Sequence, residues 1–206
     1  MIKQKILFLE TQLDQELSSP RNSIVFMESF FKSYDFIEFI SKQVHSKEDL
    51  IKFLDYARRD KKIIAIHISA HGKSSRNNCS LFFTNNEKID LTNTENQKIF
   101  QNLKNRVLFF SCCQVGRNAD IMNKILKISK TEAIFAYSEN IDDDQAFLID
   151  PLFYHLLIGY NGYKENELSL KIIYEILKKA LDDLLIDTRE NKEDHLLNPL
   201  LLAYFS

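Results

Sequence analysis

Apolar residues along this chain come in two rhythms. Unbroken runs over 5–10 (Lys-Ile-Leu-Phe-Leu-Glu), from Ile63 to His71, over 106–112 and over 132–137 predict strands buried on both faces, as in a parallel sheet. Residues 35–43, with Phe36, Ile37, Phe39 and Ile40, predict another strand, and 200–205 a last one. Between these runs the period lengthens to that of a helix. Ile24, Val25, Met27, Phe30 and Phe31 predict a helix over 20–33 opened by Ser18-Ser19-Pro20. Ser46 heads a second over 46–59 as a capping residue. Further helices are predicted over 93–104, over 118–130 with Ile121, Met122, Ile125 and Leu126 on one face, over 144–158 and over 166–186. After a polar loop at 73–78, Cys79–Thr84 and Glu87–Leu91 flank Asn85-Asn86 as a small hairpin. Strand alternating with helix predicts one α/β domain over 1–206, a three-layer α/β/α sandwich with a mostly parallel central sheet.

Two of the predicted strands end in reactive side chains. Ile63-Ile-Ala-Ile-His-Ile-Ser-Ala-His-Gly72 runs into His71, and Val107-Leu-Phe-Phe-Ser-Cys-Cys-Gln-Val-Gly116 runs into Cys113. As neighbouring parallel strands they would bring His71 and Cys113 to the carboxyl edge of the sheet, where ligands bind in such folds. Alternation along the second run chooses between its cysteines. Phe109, Ser111 and Cys113 share one side, and Leu108, Phe110 and Cys112 the other, with Cys113 last and nearest the rim. Cys112 then reads as core and Cys79 as hairpin packing. His67, four residues before His71, reads as a strand histidine shaping the floor of the site. A zinc site built from His67, His71 and the cysteines is the alternative, although no fourth ligand with recognisable spacing is present. His45, His155 and His195 read as surface or packing residues.

Glycine is scarce. The chain has four, where average usage of about 7% would give roughly fourteen. Two of them, Gly72 and Gly116, stand in the two reactive segments, which predicts unusual dihedrals or close backbone approach there. Gly159 and Gly162 are expected to share a turn. The net charge of −2 gives no basic surplus, so nucleic acid is not an expected partner. The N-terminal apolar run is too short for a signal peptide or a membrane span. The expected compartment is therefore the cytoplasm, where three cysteines are not a disulfide framework.

A thiol attacks as its thiolate, and an imidazole within reach can take the proton. Attack on a carbonyl builds negative charge on oxygen, which needs oriented N–H donors. The backbone N–H of Cys113, at the mouth of a helix, and one beside Gly72 are the candidates. A strand ending in His-Gly, then a strand ending in Ser-x-Cys-x-x-Gly, resembles the caspase-like (clan CD) cysteine peptidases. Within them it is most similar to the CHAT-domain group, whose second motif is Ser-Ala-Cys-x-x-Gly. The family nucleophile falls on Cys113 and the base on His71. The gap of 42 positions is near the roughly 50 of caspases. The later order also agrees: Ala133–Ser138, then Asp142-Asp143, then Pro151–Leu157, then a long helix.

The resemblance implies a cysteine endopeptidase with a Cys113–His71 dyad, an oxyanion hole at Gly72 and Cys113, no cofactor and no metal. It implies a protein substrate in a microbial defence or cell-death system, such as a gasdermin-like protein or another neighbouring-gene product. A catalytically inactive binding module and a non-peptidase thiol hydrolase are the alternatives. Many relatives that prefer basic side chains carry Asp two residues before the nucleophile, where this chain has Ser111. Caspases bind an acidic side chain with an arginine after the first strand. Arg21 stands near that place, and capping or decorating a helix is its other reading. Ser111, Glu139 and Asp142 are the substrate-binding candidates, the acidic run 139–144 being either a solvated turn or the lining of a pocket for a basic side chain.

Overall fold

The apolar runs become the centre of a six-stranded sheet. In chain order the elements are β1 (Gln4–Glu10), α1 (Ser23–Phe31), β2 (Ile37–Gln43), α2 (Lys47–Arg59), β3 (Ile63–Ser69), β4 (His71–Ser75), β5 (Asn78–Phe82), β6 (Lys88–Asp90), α3 (Thr94–Gln97), β7 (Val107–Ser111), α4 (Ala119–Ser129), β8 (Ala133–Tyr137), α5 (Asp143–Gly162), α6 (Leu170–Leu184) and β9 (Leu201–Phe205). The computed structural model describes residues 3–11, 23–75, 77–85, 87–141, 143–162, 169–184 and 201–206. Ser18-Ser19-Pro20, Arg21, Asp142 and His195 lie outside them.

The sheet order is β2-β1-β3-β7-β8-β9, with every neighbouring pair parallel except the antiparallel β8–β9. Both faces are covered, as the unbroken apolar runs require. On one face Leu7, Leu9, Ile66, Ile68, Leu108, Phe110 and Cys112 pack with Leu50, Leu54 and Ala57 of α2 and with Ile121, Met122 and Ile125 of α4. On the other, Ile6, Phe8, Ala65, Phe109, Phe135 and Tyr137 meet α1, α5 and α6 through Met27, Phe31, Phe153, Tyr154, Ile173 and Leu177. This is the expected three-layer α/β/α sandwich with a mostly parallel central sheet. Local chemistry sets the helix ends. The Ser46 side chain accepts a hydrogen bond from Asp49 N at 3.1 Å, with Glu48 and Asp49 in the first turn of α2 and Arg58 and Arg59 in the last. Asn118 likewise caps α4 by accepting from Ile121 N at 3.2 Å.

Three expectations change. The run toward His71 does not continue as one strand. β3 stops at Ser69, level with Glu10 of β1 and Ser111 of β7, because neither neighbour offers a partner beyond. His71 then opens β4, which pairs antiparallel with β5, so most of the predicted polar loop is the first strand of a three-stranded sheet β4-β5-β6. The helix expected over 93–104 is only α3 followed by a 3-10 turn at Lys98–Phe100. Asn102 and Asn105 have positive φ, and Leu103 N donates to Ser129 O at 2.7 Å, which draws this stretch onto the end of α4. Finally, α5 runs through to Gly162, so Gly159 and Gly162 lie at the end of that helix rather than in a connecting turn.

Candidate active site

His71 and Cys113 leave adjacent parallel strands at the same level. Ser69 of β3 is matched with Ser111 of β7, and each reactive residue stands two positions beyond that pair. Neighbouring strands lie ~4.8 Å apart, so the two chain segments emerge side by side at the carboxyl edge of the sheet. Gly72 closes the arrangement. A Cβ there would press into the Cys113 carbonyl oxygen and stand 2.7 Å from Val115 Cγ2 and 3.1 Å from Cys112 Cβ. The residue after His71 is therefore packed directly on the backbone of the Cys112-Cys113 turn. Gly72→Ala is expected to destabilise the protein by ~1–3 kcal/mol through overpacking, read as a lower denaturation midpoint. An unchanged midpoint would mean that this contact is looser than it stands here.

The turn that carries Cys113 is held from two sides. Gln114 adopts φ 61, the left-handed region, and a 3-10 turn at Val115–Arg117 separates it from α4. The helix expected directly behind Cys113 thus begins only at Ala119, so any dipole assistance comes from farther away. Gln114 N donates to Glu139 O at 3.0 Å, its side-chain Nε2 donates to Asn140 Oδ1 at 2.9 Å, and its Oε1 accepts from Ser74 N at 3.3 Å. Gln114 thereby ties β4 to the segment after β8. Gly116 has no positive φ. Its role is close approach, since a Cβ would lie 2.6 Å from Ala136 O of β8.

The three cysteines have different surroundings. Cys112 and Cys79 are fully buried. Burial pushes the Cys112 thiol well up and the Cys79 thiol to about 11. Cys112 Sγ donates to Ile68 O at 3.3 Å and Cys79 Sγ to Val115 O at 3.8 Å. Both are neutral packing residues, Cys112 in the core and Cys79 in the hairpin. Cys113 is half-buried. Its Sγ accepts from Ile141 N at 3.5 Å and faces Ile141 O at 3.7 Å, so the segment after β8 flanks the sulfur. His71 is exposed.

Below Ser111 lies a buried polar cluster. Ser111 Oγ donates to Asp150 Oδ2 at 3.0 Å, and Tyr137 OH donates to Asp150 Oδ1 at 2.7 Å. His67 Nε2 stands 3.6 Å from Asp150 Oδ2, and His67 Nδ1 is 3.1 Å from Tyr154 OH. The imidazole is stacked between Phe8, with ring centroids 4.0 Å apart, and Phe109, at 5.2 Å. Burial lowers the His67 pKa to about 3, so the ring is neutral, and raises that of Asp150 to about 7. His67 is thus a fully buried β3 residue beneath Ser111 rather than a partly buried one. Among the described residues no group of three or more His, Cys, Asp and Glu side chains could hold a metal ion. Glu139, the other acidic candidate described, is paired with Arg117, whose Nε also donates to Ser138 O at 3.2 Å. His155 accepts from or donates to Tyr34 OH at 2.8 Å, away from this edge.

Asp150 and Gln114 are the site residues that sequence reasoning missed. Asp150 had a signal: one carboxylate on the same helix face as Phe153, Tyr154 and Leu157, all buried, which is costly unless the group has partners or a function. Gln114 had none, since a left-handed non-glycine residue is set by tertiary contacts.

No protein-family model matches this chain, and no curated protein matches it by sequence. Among solved structures it is similar to the Drosophila initiator caspase Dronc, with a TM-score of 0.59 and 11% identity, over 98% of this chain and 79% of that one. At that identity the likeness shows the fold, which is caspase-like, and a fold alone does not establish an activity. The architecture is one on which cysteine peptidases are built. Among the described residues no helix is long and apolar enough to cross a membrane.

Proposed function

We propose that this chain is a cysteine endopeptidase of the CHAT-like kind, with Cys113 as nucleophile and His71 as base and acid. The observation that carries the reading is the seating of Gly72 on the Cys113 backbone, which joins the two reactive segments at the carboxyl edge of the sheet. His71 takes the thiol proton. Cys113 Sγ then bonds to the scissile carbonyl carbon, and the π electrons move onto oxygen. N–H groups of Gly72 and Cys113 receive that charge. Collapse breaks the C–N bond, His71 passes its proton to the departing amine, and water hydrolyses the thioester to free the enzyme. Neither metal nor organic cofactor enters this sequence. The substrate is a protein, and a partner in a microbial defence or cell-death system, such as a gasdermin-like protein, is the setting the motif resemblance favours.

The test sets a peptide library against a panel of small esters and thioesters, with iodoacetamide labelling read by mass spectrometry. Peptide cleavage together with preferential labelling of Cys113 over Cys79 and Cys112 is the expected result. Ester turnover without peptide cleavage would make the chain a non-peptidase thiol hydrolase, and an unlabelled Cys113 in folded protein would make it a binding module.

A further inference from the structure

Asp150 is a buried carboxylate with no Lys or Arg paired to it among the described residues. Its oxygens accept from two hydroxyls, those of Ser111 and Tyr137. Its one neighbour at ion-pair distance among the described residues is His67, whose Nε2 has no hydrogen-bond partner. Burial keeps that ring neutral, so it supplies no positive charge. An unpaired buried carboxylate is costly to a fold, and such groups concentrate at functional sites. The position is also specific. Ser111, half-exposed, both touches Asp150 and lies on the same side of β7 as Cys113, two residues before it. Asp150 is therefore one hydroxyl away from the half-exposed position two residues before Cys113. Glu139 nearby is paired with Arg117, whereas Asp150 has no Lys or Arg at ion-pair distance among the described residues.

We propose that the substrate residue whose carbonyl Cys113 attacks has a cationic side chain, lysine or arginine, and that Asp150, reached across Ser111, selects it. The proposal rests on the peptidase reading and names the substrate class of that same site. A cation there would accept the Ser111 hydroxyl's lone pair as hydrogen-bond donor while that hydroxyl keeps its own bond to Asp150. The negative charge disfavours an aspartate or glutamate side chain at the same place. Asp150 would be a specificity-determining residue and takes no part in the bond changes.

The experiment uses the full chain and peptidyl acyloxymethyl ketones that differ only in a terminal Lys, Leu or Asp. In each, Cys113 Sγ bonds to the methylene carbon and the acyloxy group leaves as carboxylate. Labelling is followed by mass spectrometry. The Lys probe is expected to label at least about tenfold faster than the Leu or Asp probe. That Lys-to-Leu ratio should fall toward one in Asp150→Asn and recover in Asp150→Asn with Ser111→Asp, which returns the charge at the rim. Should Asp150→Asn fail to fold, Ser111→Lys places an internal cation on Asp150 and is expected to erase the preference by itself. A faster Asp or Leu probe, or a Lys preference surviving in folded Asp150→Asn or Ser111→Lys, overturns the proposal and leaves the peptidase reading standing. If no peptidyl probe labels Cys113, the peptidase reading has failed and this inference falls with it.

Discussion

Cys113→Ala is expected to lower peptide cleavage by about a thousandfold or more, and His71→Ala by a similar factor, because in the proposed mechanism each removes one of the two groups that make and break the covalent intermediate. Cys112→Ala is the internal comparison. The two sulfurs are adjacent in sequence, yet Cys112 points into the core beside Ile68 O and Cys113 stands at the half-exposed rim. Removing the Cys112 sulfur costs packing, on the order of 1 kcal/mol, with cleavage retained. Initial rates on one cleaved peptide, measured beside denaturation midpoints for all three variants, separate loss of chemistry from loss of fold. The double variant Cys113→Ala, His71→Ala should be little worse than either single one, since groups acting as a unit do not add. Undiminished cleavage by folded Cys113→Ala would remove Cys113 from the mechanism.

The period of two along 107–113 was enough to separate the cysteines, because both faces of a central strand are buried and the pattern simply counts residues to the rim. The level placement of His71 and Cys113 followed from two apolar runs of similar kind becoming neighbours, β3 and β7. What lay beyond local pattern was long-range pairing. His71–Ser75 has no apolar alternation of its own. It becomes a strand because Cys79 and Leu81 bury one face of the partner strand and Gly72 lets β4 press on the Cys113 turn. The roles of the glycines were legible as a pair of possibilities, and packing selected close approach over unusual dihedrals, which fall instead to Gln114. Asp150 belongs to α5, and only the docking of that helix on the sheet brings it beneath Ser111. An acid set between the apolar residues Ile149 and Phe153 of a helix announces that it needs partners without saying which.

The His67–Asp150 pair should make the pH dependence of stability differ sharply between variants. Asp150 is raised by burial from 3.8 to about 7 in the folded protein. The folded state therefore holds a proton that the unfolded chain has released over that interval. Stability from this group falls as pH rises from 3.8 to about 7, by ~4 kcal/mol in all. His67 is lowered by burial from 6.5 to about 3. There the unfolded chain binds the proton first, so stability from this group is complete above 6.5 and is lost as pH falls toward 3, by ~5 kcal/mol. The two slopes oppose each other over nearly one window and largely cancel. Tyr137 and Tyr154, which face the pair, have their pKa values pushed well above the usual tyrosine value by burial and remain neutral throughout. Glu10, also raised by burial, contributes equally to every variant and drops out of the comparison. Asp150→Asn removes one slope and should leave a protein that weakens steeply on acidification from pH 6.5 to 4. His67→Gln removes the other and should leave one that strengthens over the same range. Denaturant titrations at half-unit pH steps measure both. Parallel profiles for the wild type and the two variants would mean that these groups do not change protonation on unfolding. The same titration bears on the proposed selectivity, because protonating Asp150 removes the charge that would select a cationic side chain. Preference for the Lys probe should therefore fade on the acid side of neutrality, while the Leu probe lacks that charge term.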